Sequence, residues 1–237
     1  MNDYVDLHTH TIASGHAYST IEAMIKAAEQ KGIRLFGITE HAPKMPGTCS
    51  ELYFNNLRVL ERKHGEMYTL FGAELNIMDM EGHVDLPERT LKQMDLCVAS
   101  MHGPCFHPGT IEENTKTYLN VMKNPYVNII GHPDDSYYLV DYRALVEGAK
   151  EHHVLLEVNN GSLTPGGFRQ NTKENSCKML ELCKEYKVPV IMDSDAHVDT
   201  AVGNHQYPLE VVQMVDFPGR TGGQYQCGAG EEFFELF

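Results

Sequence analysis

Short apolar runs recur along this chain at residues 4–8, 35–41, 68–77, 96–102, 127–133, 154–160 and 188–197. They show little polar alternation, the pattern of parallel strands covered on both faces. Between them the apolar spacing becomes helical, over 19–32, 51–63, 112–123, 141–152, 172–186 and 207–215. The stretch 85–94 reads as a short helix or an irregular turn. In the first helical segment Ser19 and Glu22 stand at capping-box spacing, and Gly32 stands where the helix should stop. Seven strand–helix units follow one another with no linker, repeat or low-complexity stretch, and only 164–168 (TPGGF) reads as a mobile loop. The pattern predicts one α/β domain over residues 1–237, a closed or nearly closed barrel.

The strand ends carry unusual chemistry. The first ends in His8 and His10, which share a face because strand side chains alternate, with His16 in the loop beyond. The second ends in His41, the third carries Glu74, and the fourth and fifth end in His102 and His132. The sixth ends in Asn159 and Asn160, and the seventh in DSDAH, which holds Asp195 and His197. A parallel barrel gathers all of these at the carboxyl ends of its strands. One histidine at a strand end is ordinary, but seven of the chain's 13 converging with two carboxylates are not. The others, His64, His83, His107, His152, His153 and His205, have no such placement and read as surface or structural groups.

Neutral imidazoles beside carboxylates are ligands for a divalent metal. A catalytic zinc takes about three protein ligands and a water, so these nine side chains suffice for three ions if one carboxylate bridges. Composition narrows the partners. A net charge of −14 disfavours a long nucleic acid, whose phosphates are bound by Lys and Arg. Three ions would bring six positive charges against two ligand carboxylates, so the pocket should still attract a small anion. No apolar run is long enough to span a bilayer and no signal peptide is evident, so the expectation is a cytoplasmic protein without a membrane partner. Its six cysteines, with no C-x-x-C pair, are expected to be reduced structural thiols.

The motifs DLHTHT, GITEH, GAELNI, SMHGP, IIGHP, LEVNN and DSDAH, in this order from about residue 4 to 217, resemble the PHP (polymerase and histidinol phosphatase) superfamily. Within it the chain is most similar to the small bacterial phosphatases with three zinc ions. The resemblance implies a distorted (β/α)7 barrel, TIM-like, with the metal cluster at the carboxyl ends of the strands. It assigns His8, His10, Glu74 and Asp195 to one ion, and His102, His132 and bridging Glu74 to a second. His16, His41 and His197 would hold the third. Zinc is the first expectation, with iron or manganese as alternatives, and a homo-oligomer, specifically a trimer, is the assembly it suggests. One departure is Glu40, where relatives often have Asp; it should orient a neighbouring imidazole.

The expected activity is that of a phosphatase hydrolysing a small phosphomonoester with metal-bound water held by Glu74, Asp195 and His102. Arg169 is the candidate phosphate clamp, with a solvated loop arginine as the alternative, and Ser14 and Tyr18 are candidate pocket residues. Competing readings are a PHP-type phosphodiesterase acting on a short nucleotide, and a non-catalytic metal-binding protein. An amidohydrolase-type C–N hydrolase ranks low, because no strand ends in the metal-bridging Lys common in that class. Residues 219–228 (GRTGGQYQCG) fit none of the periodicity. Dropping one base from a possible coding sequence turns them into Glu-Glu-Leu-Val-Val-Asn-Thr-Ser-Val, an apolar strand and turn. This segment therefore reads as the product of two compensating frameshifts.

Overall fold

A computed structural model describes residues 5–218. The strands are β1 (Val5–Asp6), β2 (Leu35–His41), β3 (Lys63–His64), β4 (Met67–Asn76), β5 (Leu96–Ser100), β6 (Ile129–Ile130), β7 (Leu155–Asn159) and β8 (Val190–Asp193). The helices are α1 (Ile21–Gln30), α2 (Glu51–Asn56), α3 (Glu88–Leu91), α4 (Ile111–Val121), α5 (Tyr142–His152), α6 (Asn160–Leu163), α7 (Thr172–Tyr186) and α8 (Gln206–Met214). Seven strands form one parallel path in the order β1-β2-β4-β5-β6-β7-β8, and β3 pairs antiparallel with β4. A parallel bridge between Thr9 and Ala196 spans the seam just beyond β1 and β8, so the barrel is nearly closed. Side chains finish that seam: Asp193 Oδ1 accepts the Leu7 N–H at 2.6 Å, and Asp6 Oδ1 accepts the Ser194 N–H at 2.9 Å.

The two apolar layers are separate. A large outer core packs strands against helices, as the non-alternating runs require. A small inner plug takes Val5, Leu7, Leu35, Leu96, Val98, Ile129, Leu155 and Ile191, with Leu70 packed on it, so every strand of the parallel path contributes. Above the plug the inward positions turn polar. Along β7 the same face reads Leu155, Glu157, Asn159, all buried. The register of β2 on β4 sets His41 beside Glu74, and that of β4 on β5 sets Asn76 beside Ser100.

Several sequence expectations are corrected. The cap of α1 is Thr20, whose Oγ1 accepts the Ala23 N–H, because Ser19 is drawn away to accept the N–H of Asp199. Gly32 does end that helix: at φ +74° it lets the Ile33 N–H reach the Ala28 carbonyl at 3.1 Å. The helix expected over 51–63 stops at Asn56, apart from one further 3-10 turn. Arg62 occupies the Leu57 and Leu60 carbonyls at 2.9 and 2.7 Å, and the chain then turns into β3. The predicted 127–133 strand pairs only at Ile129–Ile130, and α6 was not expected. Among the described residues Cys49, Cys97, Cys105, Cys177 and Cys183 are free thiols. No helix among the described residues is long and apolar enough to cross a membrane. The 219–228 segment and Cys227 lie outside the described residues.

Candidate metal centre

Glu74, on the inner face of β4 and 1% exposed, stands at the middle of the polar layer. Five imidazoles surround its carboxylate. His41 Nδ1, His102 Nε2 and His132 Nε2 lie 2.6, 3.0 and 2.9 Å from it, and His8 Nε2 and His10 Nε2 lie 3.4 and 3.6 Å away. Asp195, just past β8, faces His10 Nε2 at 3.4 Å, His197 Nδ1 at 3.6 Å and His8 Nε2 at 3.9 Å. The last of the seven, His16, points Nε2 at His41 Nε2 across 3.1 Å, and its ring centre lies 5.0 Å from that of His197. The structure therefore brings together all nine residues that the strand ends nominated.

Many of these groups are buried without a hydrogen-bond partner. His8 Nε2, His10 Nε2, His41 Nδ1, His102 Nε2 and Glu74 Oε2 make no well-formed hydrogen bond, although His41 and His102 stand close against the Glu74 carboxylate. Buried polar atoms are normally paired, so a concentration of orphans calls for a ligand. Imidazole nitrogens and carboxylate oxygens fit a divalent cation. Three compact sets of ligand atoms are within reach of an ion: His8–His10–Glu74, His41–Glu74–His102 and His10–His41–His197. Protonation follows the charge that surrounds each group. Burial pushes His102 down to about 4, and burial with the neighbouring His41 drives His10 well below the usual histidine range, whereas the carboxylates of Glu157, Glu74 and Asp195 outweigh burial and hold His8 well above it. Despite burial, the surrounding imidazoles hold Glu74 and Asp195 well below the carboxylate range. Neutral imidazoles and ionised carboxylates are what a metal requires.

Residues behind the ligands fix their orientation. His10 Nδ1 meets Ser14 Oγ at 3.1 Å; the same oxygen accepts the His41 N–H at 3.0 Å and donates to Glu40 Oε2 at 2.5 Å. With its one proton committed to Glu40, Ser14 must accept from His10, which leaves His10 Nε2 free to ligate. Glu40 thus acts on an imidazole as expected, through Ser14. Ser14 itself is fully buried, against His10 and the backbone of His41. His102 Nδ1 meets Asn76 Oδ1 at 2.7 Å, and His8 Nδ1 meets Glu157 Oε1 at 2.7 Å. Sequence reasoning missed Asn76 and Glu157. The available signals were a second polar residue two positions after Glu74, and a lone acid inside the apolar run of β7.

Of the weaker candidates, Arg169 turns inward. Its side chain is 12% exposed, with Nη1 3.5 Å from Asp195 Oδ2, so it is not a solvated loop arginine. Tyr18 is 80% exposed, and its backbone N–H donates to the His197 carbonyl at 2.8 Å. His64 and His83 stay outside the site, bonded to the Glu61 carbonyl and to Asp79, while His205 is buried with Nε2 3.9 Å from Asp6.

A parallel barrel with clustered imidazoles and carboxylates at the carboxyl ends of its strands defines a metal-binding class. The PHP domain model matches residues 6–210, and the chain belongs to that family. A probable phosphatase of Clostridium novyi is 44% identical over 218 residues, covering 92% of this chain and 88% of that one. The histidinol phosphate phosphatase of Lactococcus lactis, solved with zinc, L-histidinol and phosphate, superposes with a TM-score of 0.62 at 15% identity. It covers 91% of this chain and 95% of its own. A chain from an archaeal ribonuclease P complex with mature tRNA also superposes, at TM-score 0.50 and 15% identity, over 90% of this chain and 87% of that one. Two such different neighbours show that the fold alone does not specify the reaction.

Proposed function

We propose that this protein is a metal-dependent phosphatase that hydrolyses a small phosphomonoester. The observation that carries the reading is the set of orphaned, buried ligand atoms around Glu74 with an inward-turned arginine beside it. Phosphatase relatives at high coverage support it. The ligand partition follows the family resemblance: His8, His10, Glu74 and Asp195 for one ion; Glu74, His102 and His132 for a second; His16, His41 and His197 for a third. When bound, the ions supply Lewis-acid charge for phosphate oxygens and lower the pKa of an attacking water.

The chain's own residues set up the rest. Glu74 and Asp195 both place negative charge within 4 Å of His8 Nε2 and His10 Nε2, which favours a cation between these groups. The least buried ligands, His16 and His197, stand at the open side, where an ester can enter. Arg169 presents a guanidinium fork suited to phosphate, held in reserve by Asp195. The acidic surface keeps long polyanions away, so the substrate is a small molecule.

The test is elemental analysis of protein purified without added metal, combined with a panel of phosphate mono- and diesters before and after chelation. Bound divalent metal and chelator-sensitive monoester hydrolysis are expected, with activity restored on adding zinc, iron or manganese. Preference for diesters would transfer the site to a phosphodiesterase. A metal-loaded protein inert to the whole panel would reduce it to a metal-binding protein.

A further inference from the structure

Glu157 is buried in the middle of β7, its side chain fully covered. Each of its carboxylate oxygens holds a different metal-site histidine. Oε1 lies 2.7 Å from His8 Nδ1, and Oε2 accepts the backbone N–H of His132 at 2.6 Å. These two histidines belong to different ligand groups, since His8 reaches toward Asp195 and His132 toward the far oxygen of Glu74. The backbone at His132 sits at φ +30°, a left-handed conformation that a non-glycine residue keeps only when its surroundings hold it there. The Glu157 bond is such a hold.

The chemistry admits only a carboxylate. The His132 N–H is always a donor. His8 must also donate from Nδ1 if Nε2, the atom aimed at Glu74 and Asp195, is to bind a cation. Two donors converging on one side chain need an acceptor at each end. An amide of the same shape accepts at one end and donates at the other. It would force the proton of His8 onto Nε2, or leave the strained His132 N–H unpaired. Burial, with Glu157 and Asp6 nearby, raises the carboxyl of Asp193 well above the usual carboxylate range.

We propose that Glu157 is a positioning residue shared by two metal positions, fixing the tautomer of His8 with one oxygen and the backbone of His132 with the other. This rests on the metal-site reading above but is read out by metal binding, independently of any phosphatase activity. In Glu157→Gln, divalent ions should be withdrawn by a chelator roughly 10–100-fold more readily than from the parent. More than one equivalent should be lost, because Glu74 links the two ligand groups. The cobalt(II)-loaded variant should show an altered visible spectrum. The far-ultraviolet circular dichroism of the metal-free variant should match that of the metal-free parent, and Glu157→Asp should recover part of the retention.

A Gln variant that keeps every ion at parental affinity, with an unchanged cobalt spectrum, overturns the proposal. Loss confined to a single ion overturns the shared role. Should the variant not fold, the zinc-loaded parent decides: nitrogen NMR should show His8 protonated at Nδ1, and an unprotonated Nδ1 refutes the assignment. Active phosphatase with unaltered Glu157→Gln metal binding would sink only this inference. Metal binding without turnover in the parent would sink only the activity.

Discussion

Two buried polar clusters stand near each other in this barrel, one around Glu74 and one around Asp134. Both bury a carboxylate at 1% exposure, and both draw their partners from several elements. Asp134 is satisfied from within: Ser162 Oγ donates to Oδ1 at 2.5 Å, Ser176 Oγ donates to Oδ2 at 3.0 Å, and Asn175 Nδ2 reaches its carbonyl at 2.8 Å. Burial there raises the carboxyl's pKa, outweighing the serine hydrogen bonds and the charge of Arg169. Around Glu74, His132 is hydrogen-bonded to the carboxylate, but His8, His10, His41 and His102 each keep one buried nitrogen without a hydrogen bond, and the carboxyl's pKa falls. The difference separates structure from function. A saturated cluster holds the fold, whereas one left open in the protein alone is built to receive something else.

The comparison breaks most severely at Glu74. Glu74→Gln should release more than one metal equivalent and lower turnover well beyond the ~10–100-fold typical of a residue behind the ligands. Elemental analysis and ester hydrolysis check it, with His64→Ala as a silent control. Full metal content at the parental rate would remove Glu74 from its bridging place. Next in size, His197→Ala should preferentially release the ion of the His16–His41–His197 set while the other two stay. The side chain is 30% exposed, so the rate should suffer more than the melting temperature. Three ions still counted in that variant would reject the assignment. The saturated cluster should respond in the opposite sense. Asp134→Ala leaves two buried hydroxyls unpaired and should cost about 1–3 kcal/mol of stability with metal content unchanged. Denaturant melts of loaded protein, paired with metal counts, measure both halves of that statement.

How much of this was legible in the sequence follows from the physics of each part. The convergence of imidazoles was legible because strand ends of a parallel barrel meet at one rim, so His8, His41, His102 and His132 could be placed together without coordinates. Thr20 was misjudged because choosing between adjacent hydroxyls depends on a loop 180 positions away, where Asp199 claims Ser19. The end of α2 was missed because the side chain of Arg62, inside the predicted span, takes the Leu57 and Leu60 carbonyls that a continuing helix would have used. Glu157 escaped notice because one acid in an apolar strand has no periodic partner, and only the barrel brings His8 to it across 149 residues. Local pattern reveals which groups share a face, while long-range pairing decides which of them are satisfied.

The smallest effect is expected at Arg169, which stands between the two clusters. Its guanidinium lies 3.5 Å from Asp195 Oδ2 in the open site, and it also carries positive charge toward Asp134. Its loop is tied to the saturated side, because Asp135 Oδ1 accepts the Gln170 N–H at 3.0 Å. The saturated region thus holds a mobile-looking Gly/Pro loop so that one arginine faces the open one. A guanidinium that grips phosphate equally in substrate and transition state changes binding more than chemistry. Arg169→Ala should therefore raise KM for a phosphomonoester about tenfold, the scale of one charged hydrogen bond, with a smaller change in kcat and none in metal content. Steady-state kinetics with metal counts decide it. An unchanged KM would show that Arg169 serves only to neutralise Asp195, and that the open cluster binds phosphate without help from the loop.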